Sequence, residues 1–230
     1  MGKTASKRVI KPKFQHDRQV RAPFYITPKN QNQDYLMRSI EQKVLTVATG
    51  PAGTGKTYCA GMIACKLLLK GEVNNLVLTR ANVPTGRSLD HFPGTVEDKM
   101  TPWLAPLVNV LKEGLGKGDV DCRMGKSIHV QPLETIRGQS FANSVILVDE
   151  AQNLTMDEIK AITTRIGENS KLVLMGDPAQ SDVRDGNDLT RFAHMSYNRG
   201  IDVPVVEFSV NDIVRSDIVG DLVRMFHEEG

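Results

Sequence analysis

The sequence predicts an α/β fold, a parallel sheet covered by helices on both faces. Three observations carry this. An apolar, β-branched run over 44–49 leads straight into Gly50-Pro51-Ala52-Gly53-Thr54-Gly55-Lys56-Thr57 and then into an apolar helical stretch. A second run, Val145-Ile146-Leu147-Val148, closes on Asp149-Glu150. Around these two, short apolar runs alternate with helix-length stretches, the order that a sheet with crossover helices requires.

Length and charge set the frame. The 230 residues suit one sizeable domain, read as 23–230, behind a basic flexible arm at 1–22. Within the arm, Lys3, Lys7, Arg8, Lys11, Lys13, Arg18 and Arg21 face Asp17 alone, a net +6. Against an overall +2, the remainder carries −4. A basic arm on a mildly acidic body suits a polyanion partner, and equally a solubilising tail. No run of about 18 apolar residues points to a membrane span, and no apolar segment follows the basic start as in a secretory signal. Cys59, Cys65 and Cys122 are scattered, and the five histidines do not join them at metal-ligand spacing. Reduced thiols and a cytoplasmic setting are expected, with no membrane partner.

The elements follow in order. Phe24-Tyr25-Ile26 reads as an apolar anchor, and a polar stretch over 27–33 leads into a helix over 34–41. The strand over 44–49 and the helix over 59–69 flank the glycine-rich loop, and Gly71 ends that helix. A buried strand spans 75–79. Residues 81–103 read as a long loop with Pro84, Gly86, Pro93, Gly94 and Pro102. It brings Arg80, Arg87, His91 and Lys99 to the carboxyl end of a strand, where α/β folds bind ligands. That pattern fits a nucleic-acid contact surface or a loop of solvated charges. An amphipathic helix over 104–111 precedes a flexible connector at Gly114, Gly116 and Gly118. A third strand spans 127–131 and a fourth 145–148. Thr155 caps a helix to about 166, with Glu158 at the capping-box position. Strands follow at 171–175 and 203–208. Asn211 or Asp212 then caps a final helix to about 227.

The chemistry of the loop is specific. The pattern G-x-x-x-x-G-K-[ST] is matched at every position between a strand and a helix. Its three glycines let successive amides of residues 50–55 turn inward on phosphate oxygens, and the helix N-terminus adds partial positive charge. Lys56 is placed for the β- and γ-phosphates, and the Thr57 hydroxyl for Mg²⁺. A nucleoside triphosphate is the expected ligand. Asp149 at the strand end fits a Walker B carboxylate that holds Mg²⁺, and Glu150, one residue on, fits a base that polarises the attacking water. Gln180, past the strand next to Walker B, is placed to sense the γ-phosphate. No N-K-x-D guanine signature occurs, so ATP is favoured over GTP. A glutamine about 17 residues ahead of the loop resembles the adenine-reading glutamine of superfamily 1 helicase-like ATPases, and an amide can pair with an adenine edge through one donor and one acceptor. Gln31 and Gln33 compete for that role, and Gln33 is preferred.

These motifs together resemble the PhoH family, P-loop ATPases with superfamily 1 helicase-like motifs. The resemblance covers about 26–226 and rests on TGPAGTGKTYCA (49–60), LTRANVPTGRSLDHFPG (78–94), DKMTPWLAPL (98–107), PLETIRGQSFANSVILVDEAQN (132–153), TTRIGENSKLVLMGDPAQSD (163–182) and DIVRSDIV (212–219). It implies a RecA-like core, ATP and Mg²⁺ binding, ATP hydrolysis, and hexameric rings acting on RNA or single-stranded DNA. It supports Lys56, Thr57, Asp149, Glu150 and Gln180 in the roles above, and adds Arg80 and Arg137 as nucleic-acid or interface residues. The family's T-R-P is Thr79-Arg80-Ala81 here, its G-F-L-P-G turn is Asp90-His91-Phe92-Pro93-Gly94, and its R-H is Arg215-Ser216. No stretch reads as a second RecA domain or a PIN nuclease module. The resemblance therefore implies a head-to-tail ring in which a neighbour supplies a catalytic arginine, with Arg215 the first candidate and Arg165 the second. The alternative is an ATP-gated nucleic-acid or protein binding module with little or no unwinding. A small-molecule kinase would need an acceptor pocket that the sequence does not suggest.

Overall fold

The computed structural model describes residues 25–81, 100, 102–136, 138–182, 187–214 and 225. The arm at 1–22, the loop residues Arg87, His91 and Lys99, and both Arg137 and Arg215 lie outside the described residues.

Among the described residues, six strands form one parallel sheet. In chain order they are β1 (Leu45–Thr49), β2 (Asn75–Arg80), β3 (Ile128–Val130), β4 (Ser144–Asp149), β5 (Lys171–Gly176) and β6 (Val205–Glu207). The spatial order is β3-β2-β4-β5-β1-β6, and every pairing is parallel. The chain thus leaves β1 for the far side of the sheet and returns through β4 and β5. This order sets the end of β4 beside both β2 and β5, and the end of β5 beside the glycine-rich loop.

The central strands are buried on both faces, which is why they read as unbroken apolar runs rather than alternating ones. One face packs against helices α1 (Gln31–Gln42), α2 (Lys56–Lys70) and α3 (Ala105–Leu115), with Leu36, Ile63, Leu67, Leu107 and Leu111 meeting Leu76, Leu78, Val145 and Leu147. A short helix α4 (Lys117–Arg123) extends this layer. The other face lies under α5 (Leu133–Ile136), α6 (Met156–Thr163) and α7 (Asp188–Asn198). There Val77, Ile146, Val148 and Leu174 meet Ile136, Ile159, Ile162 and Leu189. Parity along β4 therefore puts Val145, Leu147 and Asp149 on the α2 face. The covered sheet and its two layers agree with the sequence expectation of an α/β, RecA-like fold.

Some elements differ from that expectation. Helix α1 starts at Gln31, earlier than residue 34, because Asn30 accepts the Gln33 amide as N-cap. Gly114 is no connector. It lies inside α3, where a Cβ would sit 2.8 Å from Cys65 Sγ, so its bare backbone lets α3 approach α2. Gly116, at φ +90, is where the chain breaks before α4. Helix α7 was not anticipated, since only Leu189, Ala193 and Ser196 are buried while Met195 and Tyr197 are exposed, which blurs its apolar stripe. No helix starts at Asn211 or Asp212. Residues Val210–Asp212 form a 3₁₀ turn capped by Ser209, and Ile213 is extended. The Thr155–Glu158 capping box is present as expected.

Burial on α2 pushes the Cys59 thiol up to about 11 and the Cys65 thiol up to about 12, while Cys122 is exposed. A thiol reagent at mildly alkaline pH is therefore expected to titrate Cys122 alone in the native protein, and all three cysteines in denaturant. Immediate reaction of Cys59 and Cys65 would mean that α2 is not packed between the sheet and α3.

Candidate active site

The glycine-rich loop is bent by its sequence. Gly50, Gly53 and Gly55 all have positive φ, at +125, +86 and +90. Gly55 serves as N-cap of α2. Among the described residues, the amides of Gly53, Gly55 and Lys56 have no protein acceptor. Orphan donors around a helix N-terminus are an anion cradle, so the loop fits a phosphate chain. A cleft of about 440 Å³ opens over it, lined by Lys56, Thr57, Asp149, Glu150, Asp177 and Gln180 among others. Its size suits a nucleotide. The structure thus brings Lys56, Thr57, Asp149, Glu150 and Gln180, all assigned to hydrolysis from the sequence, together with the loop.

Each side chain has a defined setting. Lys56 Nζ is drawn across the loop, donating to Gly50 O at 2.5 Å and Pro51 O at 2.8 Å. Burial lowers its pKa, opposed by Asp177, Asp149 and Glu150 nearby. Asp149 is raised above the ordinary carboxylate value by burial and by Glu150, with Arg80 and Lys56 acting against the shift. Thr57 stands in the first turn of α2, next to Lys56. Gln180 ends the 3₁₀ turn Pro178–Gln180, and its amide donates to Asp177 Oδ2 at 2.8 Å.

Glu150 is the most constrained. It has φ +52, in the left-handed region, and this turns its side chain out of the strand direction. Arg80 Nη2 lies 3.3 Å from Oε1, and Gln152 Nε2 donates to Oε2 at 2.7 Å. Gln152 Oε1 in turn accepts from Asp177 N at 3.1 Å. One buried glutamine therefore ties the end of β4 to the end of β5. The sequence reading gave Gln152 no role. A glutamine two residues past a carboxylate has no distinguishing pattern, and its partner lies 25 residues away.

Gln33 is where its spacing suggested, beside the loop, but its amide is engaged. Nε2 donates to Thr54 O at 2.9 Å, and Oε1 accepts from Lys29 N at 2.9 Å. Gln31 is exposed. The segment after β6 closes the same side, with Val214 N donating to Gly53 O at 3.0 Å and Asn32 Nδ2 to Asp212 Oδ2 at 2.9 Å. Asp212, expected as a helix cap, instead accepts from Ser209 and Asn32. Arg165 sits before β5, at the amino ends of the strands, where its carbonyl accepts from Phe141 N. It is remote from this loop. Arg80 closes β2 beside Asp149, its register partner.

A strand–loop–helix phosphate cradle with an acidic pair one strand removed, at the end of β4, defines a P-loop NTPase of α/β, RecA-like architecture. The chain belongs to the PhoH family: the PhoH-like protein model matches residues 25–227. A PhoH-like protein of Bacillus subtilis strain 168 is 32% identical over 206 residues, covering 89% of this chain and 65% of that protein. Protein PhoH of Escherichia coli K12 is 33% identical over 201 residues, covering 83% and 55%. The chain thus spans about half to just under two thirds of these relatives. Among solved structures, the large terminase of a thermophilic bacteriophage aligns with TM-score 0.57 at 11% identity, over 86% of this chain and 50% of that one. A crystal form of the same terminase in complex with ADP aligns with TM-score 0.56 at 12% identity, over the same shares. At these identities the terminase alignments show a shared fold. Among the described residues, no helix is long and apolar enough to cross a membrane.

Proposed function

We propose that the chain is a Mg²⁺-dependent ATPase whose turnover depends on single-stranded RNA or DNA. The observation that carries this is Glu150, a carboxylate that lines the cleft over the phosphate cradle and is held there by Gln152. A protein that only binds nucleotide needs no positioned base. Lys56 exchanges its loop carbonyls for the β- and γ-phosphates, and the free amides of residues 53–56 take the remaining oxygens. Thr57 and Asp149 would hold Mg²⁺, which neutralises developing charge on the phosphates. A water oxygen attacks the γ-phosphorus, the bond to the bridging β–γ oxygen breaks, and the water's proton passes to Glu150. Gln180, next to Asp177, reads the γ-phosphate. The terminase neighbour was solved in complex with ADP, which supports a nucleotide as the ligand.

Gln33 stays our choice for the adenine side, which requires it to release Lys29 N or Thr54 O. Arg80 and Arg137 are the proposed polynucleotide contacts. A hexameric ring would let Arg215, or secondly Arg165, complete a neighbour's site, and helicase action follows from that assembly. The free thiols suit a cytoplasmic setting. A second reading, an ATP-gated binding module, is favoured by one observation: both Glu150 oxygens already face protein donors.

Steady-state phosphate release with Mg²⁺, with and without poly(U) or oligo(dT), decides between them. The enzyme reading expects stimulation that falls steeply between about 50 and 200 mM salt, as phosphate contacts demand. Unchanged slow hydrolysis alongside ATP-dependent polynucleotide binding would favour the module.

A further inference from the structure

Arg80 divides its guanidinium between two neighbours, Trp103 and Glu150. Nη1 donates to Trp103 O at 3.0 Å, Nη2 reaches Glu150 Oε1 at 3.3 Å, and the guanidinium carbon lies 5.8 Å from the Trp103 ring centroid. Nε is buried and, among the described residues, has no acceptor. An arginine fork with one long contact and one unmet donor is incompletely satisfied, and a phosphate offers it two charged oxygens at once. The pair is reachable, since the Arg80 and Glu150 side chains keep 24% and 34% of their surface exposed. Gln152 holds the other Glu150 oxygen and is itself fixed to Asp177 N. Release by Arg80 would therefore free one carboxylate oxygen for water without letting the side chain swing away.

We propose that Arg80 is a positioning residue that couples polyanion binding to hydrolysis. Its guanidinium restrains Glu150 until a phosphate of a single-stranded polynucleotide takes it over, and Trp103 moves with it. This rests on the ATPase reading above. The long Arg80–Glu150 contact makes the exchange favourable: one weak ion pair is given up for a shorter, charge-assisted bond to phosphate. The freed carboxylate and the polynucleotide are both anionic and do not pair, so Glu150 turns to the water instead.

The test uses the full chain with Arg80→Gln and Arg80→Lys, assayed for ATP hydrolysis with and without poly(U) and oligo(dT). Trp103 is the sole tryptophan, so intrinsic fluorescence reports this one place. Arg80→Gln is expected to raise the polynucleotide-free rate about fivefold, the equivalent of losing one half-exposed ion pair. Its stimulation by polynucleotide should fall toward onefold. Its emission without polynucleotide should match that of the wild type with it. Arg80→Lys, which lacks the fork, should move the same way to a smaller extent, and it decides if Arg80→Gln does not fold. A basal rate at or below wild type, or an undiminished stimulation ratio, overturns the proposal. A wild-type rate unmoved by either polymer ends the polynucleotide trigger. Absence of hydrolysis in wild type and variants alike ends the ATPase reading instead.

Discussion

Glu150→Gln is expected to leave ATP bound while phosphate release falls by about 10²–10⁴, the usual range for a general base. Glutamine keeps the shape and one oxygen but cannot take a proton. The local structure should survive. Arg80 Nη2 and Gln152 Nε2 each donate to one carboxylate oxygen, and an amide can satisfy only one of them. The other donor then turns to solvent, since the Glu150 side chain is 34% exposed. The cost is on the order of 1 kcal/mol, too small to unfold a domain. On the proposed reading the ground-state phosphate contacts come from Lys56 and the loop amides, so binding and turnover should separate. Titration of a fluorescent ATP analogue and a phosphate-release assay on the same sample check this. Turnover close to that of the wild type would mean another group prepares the water.

The same variant probes Gln152 from the far side. With an amide at 150, Gln152 can still bridge to Asp177 N, so β4 and β5 keep their relation. Loss of hydrolysis then belongs to the missing proton acceptor and not to a displaced strand. A thermal midpoint lowered by no more than about 2–4 °C, the equivalent of that small cost, would be the sign of this.

What was legible in the sequence is what local chemistry fixes. Gly50 to Thr57 carries its bend in its own glycines, whatever the sheet does, and the apolar run ending at Asp149-Glu150 must end where the core ends. The Thr155 cap and Glu158 are likewise local, close along the chain. What was not legible depends on strand order. Arg80 meets Glu150, and Gln152 meets Asp177, only because β2, β4 and β5 lie side by side. Helix α7 was missed because its buried stripe is only Leu189, Ala193 and Ser196. Asp212 misled because its carboxylate is spent on Ser209 and Asn32, a partner 180 residues back. Gly114 misled because close helix packing and a flexible link both call for glycine. Nothing in one dimension separates those two needs.

Gly50→Ala is expected to have the largest effect on stability, and to abolish nucleotide binding with it. Gly50 has φ +125, which side-chain-bearing residues rarely adopt, and its added Cβ would lie 2.1 Å from Phe208 O and 2.8 Å from Phe208 C. Neither neighbour can retreat cheaply. Phe208 N donates to Thr49 O at 2.8 Å, and Gly50 N donates to Gly176 O at 3.1 Å. The clash is pinned between β6 on one side and β5 on the other. Relief comes by detaching the end of β6 or by flipping the loop, and either moves Gly53, which also accepts from Val214 N. Strained backbone alone costs about 1–3 kcal/mol, and a forced backbone shift adds to it. For a domain of this size that lowers the thermal midpoint by on the order of 10 °C. Gly71→Ala is the control: φ is +72 there but nothing lies within 4 Å of the new Cβ, so only the conformational cost of about 1 kcal/mol remains. If both variants melt together, the contact with Phe208 is not what Gly50 is for. If Gly50→Ala melts far lower and no longer retains an ATP analogue, the start of the phosphate loop is held by the edge strand of the sheet as much as by its own glycines.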